Sequence, residues 1–394
     1  MIAASRRTAN FDYAIRSLIS AARALERDGR KVTYLNIGDP QAFGFRPPDH
    51  IIEPVQRALR DQFTGYAPSA GLLEAREAVA SYATALGAPT SAEEVVLSSG
   101  ASEAAELALT ALVNNGDEVL VPSPGYPLYP AILSKLGADT RYYQLNPERG
   151  WEPTVSEVRS LINKRTRALI LINPNNPTGS ITSNNTTYAL LKLASEYKLP
   201  VISDEVYREL CFTTAPASAS CMAPAISTPV ITLESLSKTH LVPGWRVGWM
   251  RFTNAEKMPA VVNAISKLAS GRLCSPTPTQ YAIRPALDGS KDFLNDFVQE
   301  IRKRRDYATE RIKAVRGLSS DIPAAAFYLM MKVADLRNKT DERFALELLE
   351  KTGVLVVQGS GFGLDPFDGY FRLVYLASEE MLEETFDAIE KFLK

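Results

Sequence analysis

The sequence predicts an α/β fold with a mostly parallel central sheet covered by helices. Three observations predict it. From Glu94 onward, short apolar segments alternate with helical stretches, the pattern of strand–helix repeats. The strand candidates are β-branched and lack a clean polar/apolar alternation, as strands buried on both faces do. The last third then changes character, to a long charged stretch and mixed strands and helices, which reads as a smaller α+β unit.

In chain order, an amphipathic helix is expected over Phe11–Arg27. Strand candidates follow at Val95–Leu97, Glu118–Val121, Ala168–Ile172, Pro200–Ser203, Val230–Leu233 and Val247–Met250. Helices are expected between them at Ser102–Val113, Asn185–Tyr197 and Glu256–Ser270. Beyond these lie a charged helix over Asp292–Val315, an apolar segment Ala326–Met330 and a helix over Asp341–Thr352. Strands near Val354–Val357 and Phe371–Tyr375 and a last helix from Ser378 complete the chain. The expected division is a large domain over 45–280 and a small domain made of 1–44 and 281–394.

Composition narrows the function. The 394 residues allow two or three domains at roughly 100–200 residues each. Lys plus Arg is 44 and Asp plus Glu is 45, net −1, without the basic excess of a nucleic-acid or membrane-surface binder. Cys211, Cys221 and Cys274 have neither disulfide-framework nor zinc spacing and fit a reducing compartment. With only His50 and His240, no His-rich metal site is expected, and a Ser-His-Asp hydrolase is disfavoured. No apolar run reaches the roughly 20 residues of a membrane helix. The pair Arg6-Arg7 is not followed by the apolar stretch of an export signal, because Asp12, Arg16 and Arg23 interrupt it. A cytoplasmic protein is expected.

Four segments carry chemistry. Ser235-Leu236-Ser237-Lys238 ends a buried strand, where ligands bind in open α/β sheets. Arg246 follows eight residues on, flanked by Gly244 and Gly248. Two hydroxyls and an arginine suit a phosphate, and a lysine amine beside it suits Schiff-base chemistry with a carbonyl, the covalent catalysis of pyridoxal phosphate. A single loop lysine is otherwise simply solvated. Asp204 closes another strand, with Tyr207 three residues later. A carboxylate there suits a pyridine nitrogen; the other reading is a helix N-cap. Asn173-Pro174-Asn175-Asn176-Pro177-Thr178-Gly179 is either a turn or a loop that brings Asn176 to a ring oxygen. Ser99–Ala104 runs from strand to helix with small residues, so helix N-terminal amides can meet a phosphate.

Together, Asp204-x-x-Tyr207, the Asn-Asn-Pro-Thr-Gly run and Ser-x-Ser-Lys with Arg246 resemble the pyridoxal 5'-phosphate (PLP)-dependent aminotransferases of fold type I. The resemblance spans Asn36 to Leu373. It implies that Lys238 is the Schiff-base lysine and proton carrier, and Asp204 the pyridinium partner. Asn176 and Tyr207 would bond the phenolic oxygen, and Tyr126 would stack on the ring. Gly100, Ala101, Ser102, Ser235, Ser237 and Arg246 would bind the phosphate, with Tyr66 sent to it from the partner subunit of a homodimer. Arg372 would clamp the substrate α-carboxylate, with Gly38 leaving room beside it.

The stretches Asn36–Pro40, Pro124–Tyr129, Arg272–Pro278 and Gln358–Gly363 resemble the alanine aminotransferase branch more than the aspartate branch. Alanine:2-oxoglutarate exchange by a ping-pong mechanism is therefore expected first, and aspartate or broad-range activity second. Arg272 lies near the place where aspartate enzymes carry a second cation, in a displaced register; its other reading is a structural loop arginine. More distant alternatives are a PLP-dependent lyase and a non-enzymatic effector-binding domain. The latter carries a winged-helix module, for which Asn36–Pro40 comes too early.

Overall fold

The computed structural model describes residues 2, 4, 5, 8 and 13–394. Among them the strands are, in chain order, β1 (Thr33–Tyr34), β2 (Val95–Ser98), β3 (Glu118–Ser123), β4 (Asp139–Asn146), β5 (Glu152–Pro153), β6 (Thr166–Ile172) and β7 (Val201–Asp204). They continue with β8 (Val230–Ser235), β9 (Gly248–Thr253), β10 (Leu318–Ser320), β11 (Tyr328–Val333), β12 (Val354–Leu355), β13 (Val357–Gln358) and β14 (Tyr370–Val374).

The large sheet has the order β2-β9-β8-β7-β6-β3-β4-β5. Strands β8, β7, β6, β3 and β4 run parallel in that order. β9 is antiparallel to both neighbours, and β5 to β4. Both faces are covered. Ala168, Ile170 and Ile172 of β6 pack into one core with Ile202, Ile231 and the helix Ala101–Leu112. Leu169 and Leu171 point into another with Val201, Val230 and the helix Asn184–Glu196. Successive side chains of a strand take opposite faces, so these strands read as continuous apolar runs.

β4 and β5 have no counterpart among the expected strands. β4 carries Asp139, Arg141 and Gln144 at exposed or half-buried positions, so its sequence lacks the apolar run of its buried neighbours.

In the C-terminal part, β10-β11-β14-β13 form an antiparallel sheet. Its core joins Phe327, Leu329, Phe371 and Leu373 with Phe297 and Ile301 of the helix Asp292–Ala314. The expected strand near Val354–Val357 divides: β12 pairs parallel with β1, whereas β13 joins β14. The pairing of β1 and β12 ties the N-terminal segment to the C-terminal part. The helix Ile283–Asp288 packs instead with Ala78, Val79, Val95 and Trp249.

The N-terminal helix requires a correction. Phe11 and Asp12 lie outside the described residues. Beyond them, the chain forms a 3₁₀ turn at Ala14–Arg16 and a separate helix at Ile19–Arg27. The Ile15 carbonyl, which a continuous helix would use internally, accepts from Asn36 Nδ2 at 2.9 Å. Ala14 and Ile15 pack against Val357 and Phe362.

Candidate active site

The carboxyl ends of β6, β7 and β8 open on one cleft, where the topology of parallel sheets places ligands. Ala101, Ser102, Tyr126, Asn176, Asp204, Tyr207, Ser235, Ser237, Lys238 and Arg246 all line it.

Lys238 sits on the short helix Leu236–Thr239 that follows β8, with Ser235 as N-cap accepting from Ser237 N at 3.3 Å. Its Nζ donates to Gly38 O at 2.7 Å. Burial lowers the amine to about 8; Asp39 opposes the shift, and Arg372 and Arg246 add to it. The next residues fix the loop. His240 joins Thr239 Oγ1 and Ala286 O, each at 2.9 Å; a carbonyl only accepts, so the His240 Nε2 carries the proton. Burial pushes His240 down to about 3, so its ring is neutral.

Asp204 ends β7 with its carboxylate buried. Tyr129 Oη donates to Oδ2 at 2.7 Å and Val206 N to Oδ1 at 3.3 Å. Burial raises Asp204 to about 6; these two hydrogen bonds oppose the rise, and Glu205 adds to it. The two stabilising bonds come from neutral donors, so this carboxylate stands ready for a cationic partner. Tyr207 bonds Tyr328 through their hydroxyls at 2.8 Å. Tyr126 pairs with Tyr13 in the same way, at 2.8 Å.

The other end of the cleft suits an anion. Arg246 has φ 54 and is held by Pro243 O at 2.8 Å and Ser99 O at 3.1 Å. Gly100, with φ 77, allows this close approach: a Cβ there would run into the guanidinium. Ala101 and Ser102 begin the helix Ala101–Leu112, where backbone N–H groups lack intrahelical acceptors. The hydroxyls of Ser235 and Ser237 complete the cradle.

Arg372 comes from β14 and is 1% exposed. It donates from Nη1 to Asn176 Oδ1 at 2.9 Å and from Nη2 to Asn36 O. Tyr328 and Phe362 flank its guanidinium at 4.5 and 5.0 Å. Among the described residues its buried Nε has no hydrogen-bond partner, an open donor for a carboxylate. Gly38 packs so closely on Phe327 and Tyr328 that a side chain would collide with both.

Two residues stand apart. Tyr66 is 82% exposed and is not among the residues lining its own chain's cleft. Arg272 is not among them either: its Nη2 donates to Leu97 O at 2.6 Å, and its Nε lies 3.2 Å from Glu103 Oε2. Within the chain it anchors the loop before the helix Ala101–Leu112.

The sequence reading missed Tyr129 as the partner of Asp204, Tyr328 as the partner of Tyr207, and Tyr13 above Tyr126. Tyr129 had a weak signal, its place in the Pro124–Tyr129 segment. Tyr328 had none, because the fold brings it from 121 residues away.

Comparison with known proteins places this geometry. Residues 30–389 match the family described as aminotransferase class I and II. The chain is 35% identical over 382 residues to the glutamate-pyruvate aminotransferase AlaA of Haemophilus influenzae, covering 94% of this chain and 93% of that protein. An alanine aminotransferase structure from Pyrococcus furiosus superposes with a TM-score of 0.96 at 38% identity, covering 99% of both chains. A mutant aspartate aminotransferase of Thermus thermophilus superposes at 0.90 with 32% identity, covering 99% of this chain and 100% of that one.

Proposed function

This chain belongs to the class I and II aminotransferases, and on that premise we propose that it exchanges amino groups between alanine and 2-oxoglutarate. The family uses pyridoxal 5'-phosphate. When bound, this cofactor supplies an aldehyde that condenses with amines and a pyridine ring that accepts the electron pair left by a departing proton. The cleft fits it: a buried carboxylate for the ring nitrogen stands at one end, and a glycine-bordered cradle of Arg246, two serines and helix amides at the other.

The roles follow from these positions. Asp204 would hold a protonated ring nitrogen, fixed in direction by Tyr129. Asn176 Oδ1 accepts from Arg372 Nη1, which leaves the amide N–H groups of Asn176, with the Tyr207 hydroxyl, for the ring oxygen. Tyr126 would lie on the ring. Gly100, Ala101, Ser102, Ser235, Ser237 and Arg246 would hold the phosphate. Arg372 would bind the α-carboxylate, its charge shared in a bidentate pair, with Gly38 letting Tyr328 pack close beside that guanidinium. Lys238 Nζ would take the proton from the substrate Cα and return it on the other side of the exchange. An amine near 8 keeps an unprotonated fraction at neutral pH, as a base requires.

The observation that carries this reading is Arg372: a buried guanidinium with an open Nε, bridged through Asn176 to the same cleft as Lys238. The choice of alanine is supported by the alanine-named relatives. Aspartate is the alternative. Mixing the PLP-loaded protein with single amino acids decides between them. Alanine and glutamate are expected to bleach the visible cofactor band. Fast bleaching by aspartate with none by alanine would overturn the choice.

We also propose a homodimer. Leu59, Phe63, Tyr66, Leu73 and Leu273 are all at least half exposed, large apolar side chains that a partner subunit would cover. Tyr66 would reach the partner's phosphate site. The two-domain division at 45 and 280, with the helix Ile283–Asp288 packed against the large sheet, and a cytoplasmic location belong to the same proposal; three free cysteines support the latter. Among the described residues no helix is long and apolar enough to cross a membrane.

A further inference from the structure

Behind the cleft lies a second, small cavity lined by charged side chains, among them Glu205, Arg208 and Glu234. With Arg251 they form a network of two carboxylates and two guanidiniums, exposed by 5, 7, 5 and 1% respectively. Glu205 Oε1 accepts from Ser203 Oγ at 2.9 Å, Ser218 Oγ at 3.0 Å and Ala219 N at 2.9 Å. Its Oε2 lies 3.5 Å from Arg208 Nε. Glu234 Oε2 accepts from Arg251 Nε at 2.7 Å and Trp249 Nε1 at 3.0 Å. Arg251 reaches on to Ser220 Oγ at 2.7 Å and Ser218 Oγ at 3.2 Å, which closes the circuit to Glu205. Arg208 Nη2 donates to Tyr82 Oη at 2.6 Å.

The network's place in the chain gives it meaning. Glu205 follows Asp204, Arg208 follows Tyr207, and Glu234 precedes Ser235. Asp204, Tyr207 and Ser235 line the cleft, whereas their charged neighbours do not. A buried ion pair adds little stability over an apolar pair of similar volume. What it adds is direction, because every hydrogen bond fixes an angle as well as a distance.

We infer that Glu205, Arg208, Glu234 and Arg251 are positioning residues for the cofactor, holding the ends of β7 and β8 so that Asp204, Tyr207 and Ser235 face it in one fixed orientation. The inference rests on the function proposed above. It assigns no contact with cofactor or substrate to any of the four.

The test uses the PLP-loaded protein and the double variant Glu234→Leu/Arg251→Leu, which removes one pair without leaving a lone buried charge. Three quantities are measured: the unfolding temperature, the rate of cofactor loss on dialysis, and the visible circular dichroism per bound cofactor, which reports the ring's asymmetric seating. The expected result is an unfolding temperature close to that of the unaltered protein, cofactor loss faster by roughly tenfold, and a reduced dichroism. Cofactor loss and dichroism like those of the unaltered protein would show that the network only balances its own charge, and would overturn the inference. Should the double variant not fold, Ser218→Ala removes the hydroxyl that joins Glu205 to Arg251. It is expected to speed cofactor loss by about threefold, and no change in loss or dichroism would be equally fatal. An unaltered protein that neither takes up PLP nor reacts with alanine would refute the proposed function itself, before any variant is compared.

Discussion

Arg372 Nη1 donates to Asn176 Oδ1 at 2.9 Å across 196 residues of chain. The bond joins β14 of the small sheet to the loop that follows β6 of the large one. One guanidinium thereby holds the asparagine beside the ring site and keeps its Nε open for a carboxylate. A lysine has a point charge and cannot do both. Arg372→Lys is expected to lower kcat/KM for alanine and glutamate alike, by about a hundredfold, the scale of a lost buried charge pair. Steady-state kinetics with both donors checks this. A loss confined to one donor would mean that Arg372 reads side chains instead.

Asp204→Asn should move stability and activity in opposite directions. In the cofactor-free chain, burial raises Asp204 from its ordinary 3.8 to about 6. The folded state then binds more protons than the unfolded one between those values, so stability falls as pH rises through that window. Above it the carboxylate costs about 3 kcal/mol. The amide lacks this cost, so the cofactor-free variant is expected to be the more stable at pH 7, by up to that amount. Bound to PLP, the same variant should lose most of its rate, since an amide cannot hold a protonated ring nitrogen. Denaturant melts and single-turnover rates together make the check; turnover within about threefold of the unaltered protein would assign the ring nitrogen to another group.

Lys238 has the corresponding signature on the alkaline side. Its amine is lowered from 10.5 to about 8, chiefly by burial. Between those values the unfolded chain binds the extra proton, so stability rises with pH there; below about 8 the penalty is complete, about 3 kcal/mol. Cofactor-free Lys238→Met is therefore expected to exceed the unaltered chain in stability at pH 7 and to match it above pH 10.5. A difference that does not vary with pH would mean that the amine titrates normally. In the PLP-loaded protein, borohydride should fix the cofactor on the peptide that contains Lys238.

The parts legible in the sequence are those where local pattern and chemistry coincide. Lys238, Asp204 and Asn176 each follow a continuous apolar strand, so their strands mark the site. β4 escaped because its half-exposed face carries Asp139 and Arg141, and the N-terminal helix was overextended because Asn36 takes the Ile15 carbonyl. Tyr328 and the Glu205–Arg251 network were invisible for a different reason. Their partners come from distant segments, and a lone tyrosine or arginine in a strand looks like any other until the fold brings the pairs together.

Arg272→Ala tests the reading of that arginine as an anchor. Its contacts are Glu103 and the Leu97 and Ser69 carbonyls, and Glu103 in turn accepts from Ser99 N at 2.7 Å, at the start of the phosphate cradle. Loss of the guanidinium should loosen the cradle for every substrate, so equal losses are expected for alanine and glutamate, with weaker retention of PLP. A loss specific to glutamate would instead place Arg272 opposite the distal carboxylate.

Tyr66 offers the sharpest test of assembly. On its own chain it is 82% exposed, outside the cleft whose phosphate end it is proposed to serve in the partner. Lys238→Ala and Tyr66→Ala are each expected to be nearly inactive as homodimers. When the two chains are unfolded, mixed and reassembled, half of the dimers combine both variants. If Tyr66 serves the partner's site, one site of each mixed dimer carries both lesions and the other carries neither. About a quarter of the unaltered activity should then return, on the premise of symmetric pairing. If Tyr66 serves its own chain, every site carries one lesion and nothing returns. Pairing Lys238→Ala with Asp204→Ala supplies the control. Both residues line one chain's cleft, so a mixed dimer has one lesion in each site and should stay inactive. Absence of recovery in the first mixture, with subunit exchange demonstrated by mass, would remove Tyr66 from the partner's site.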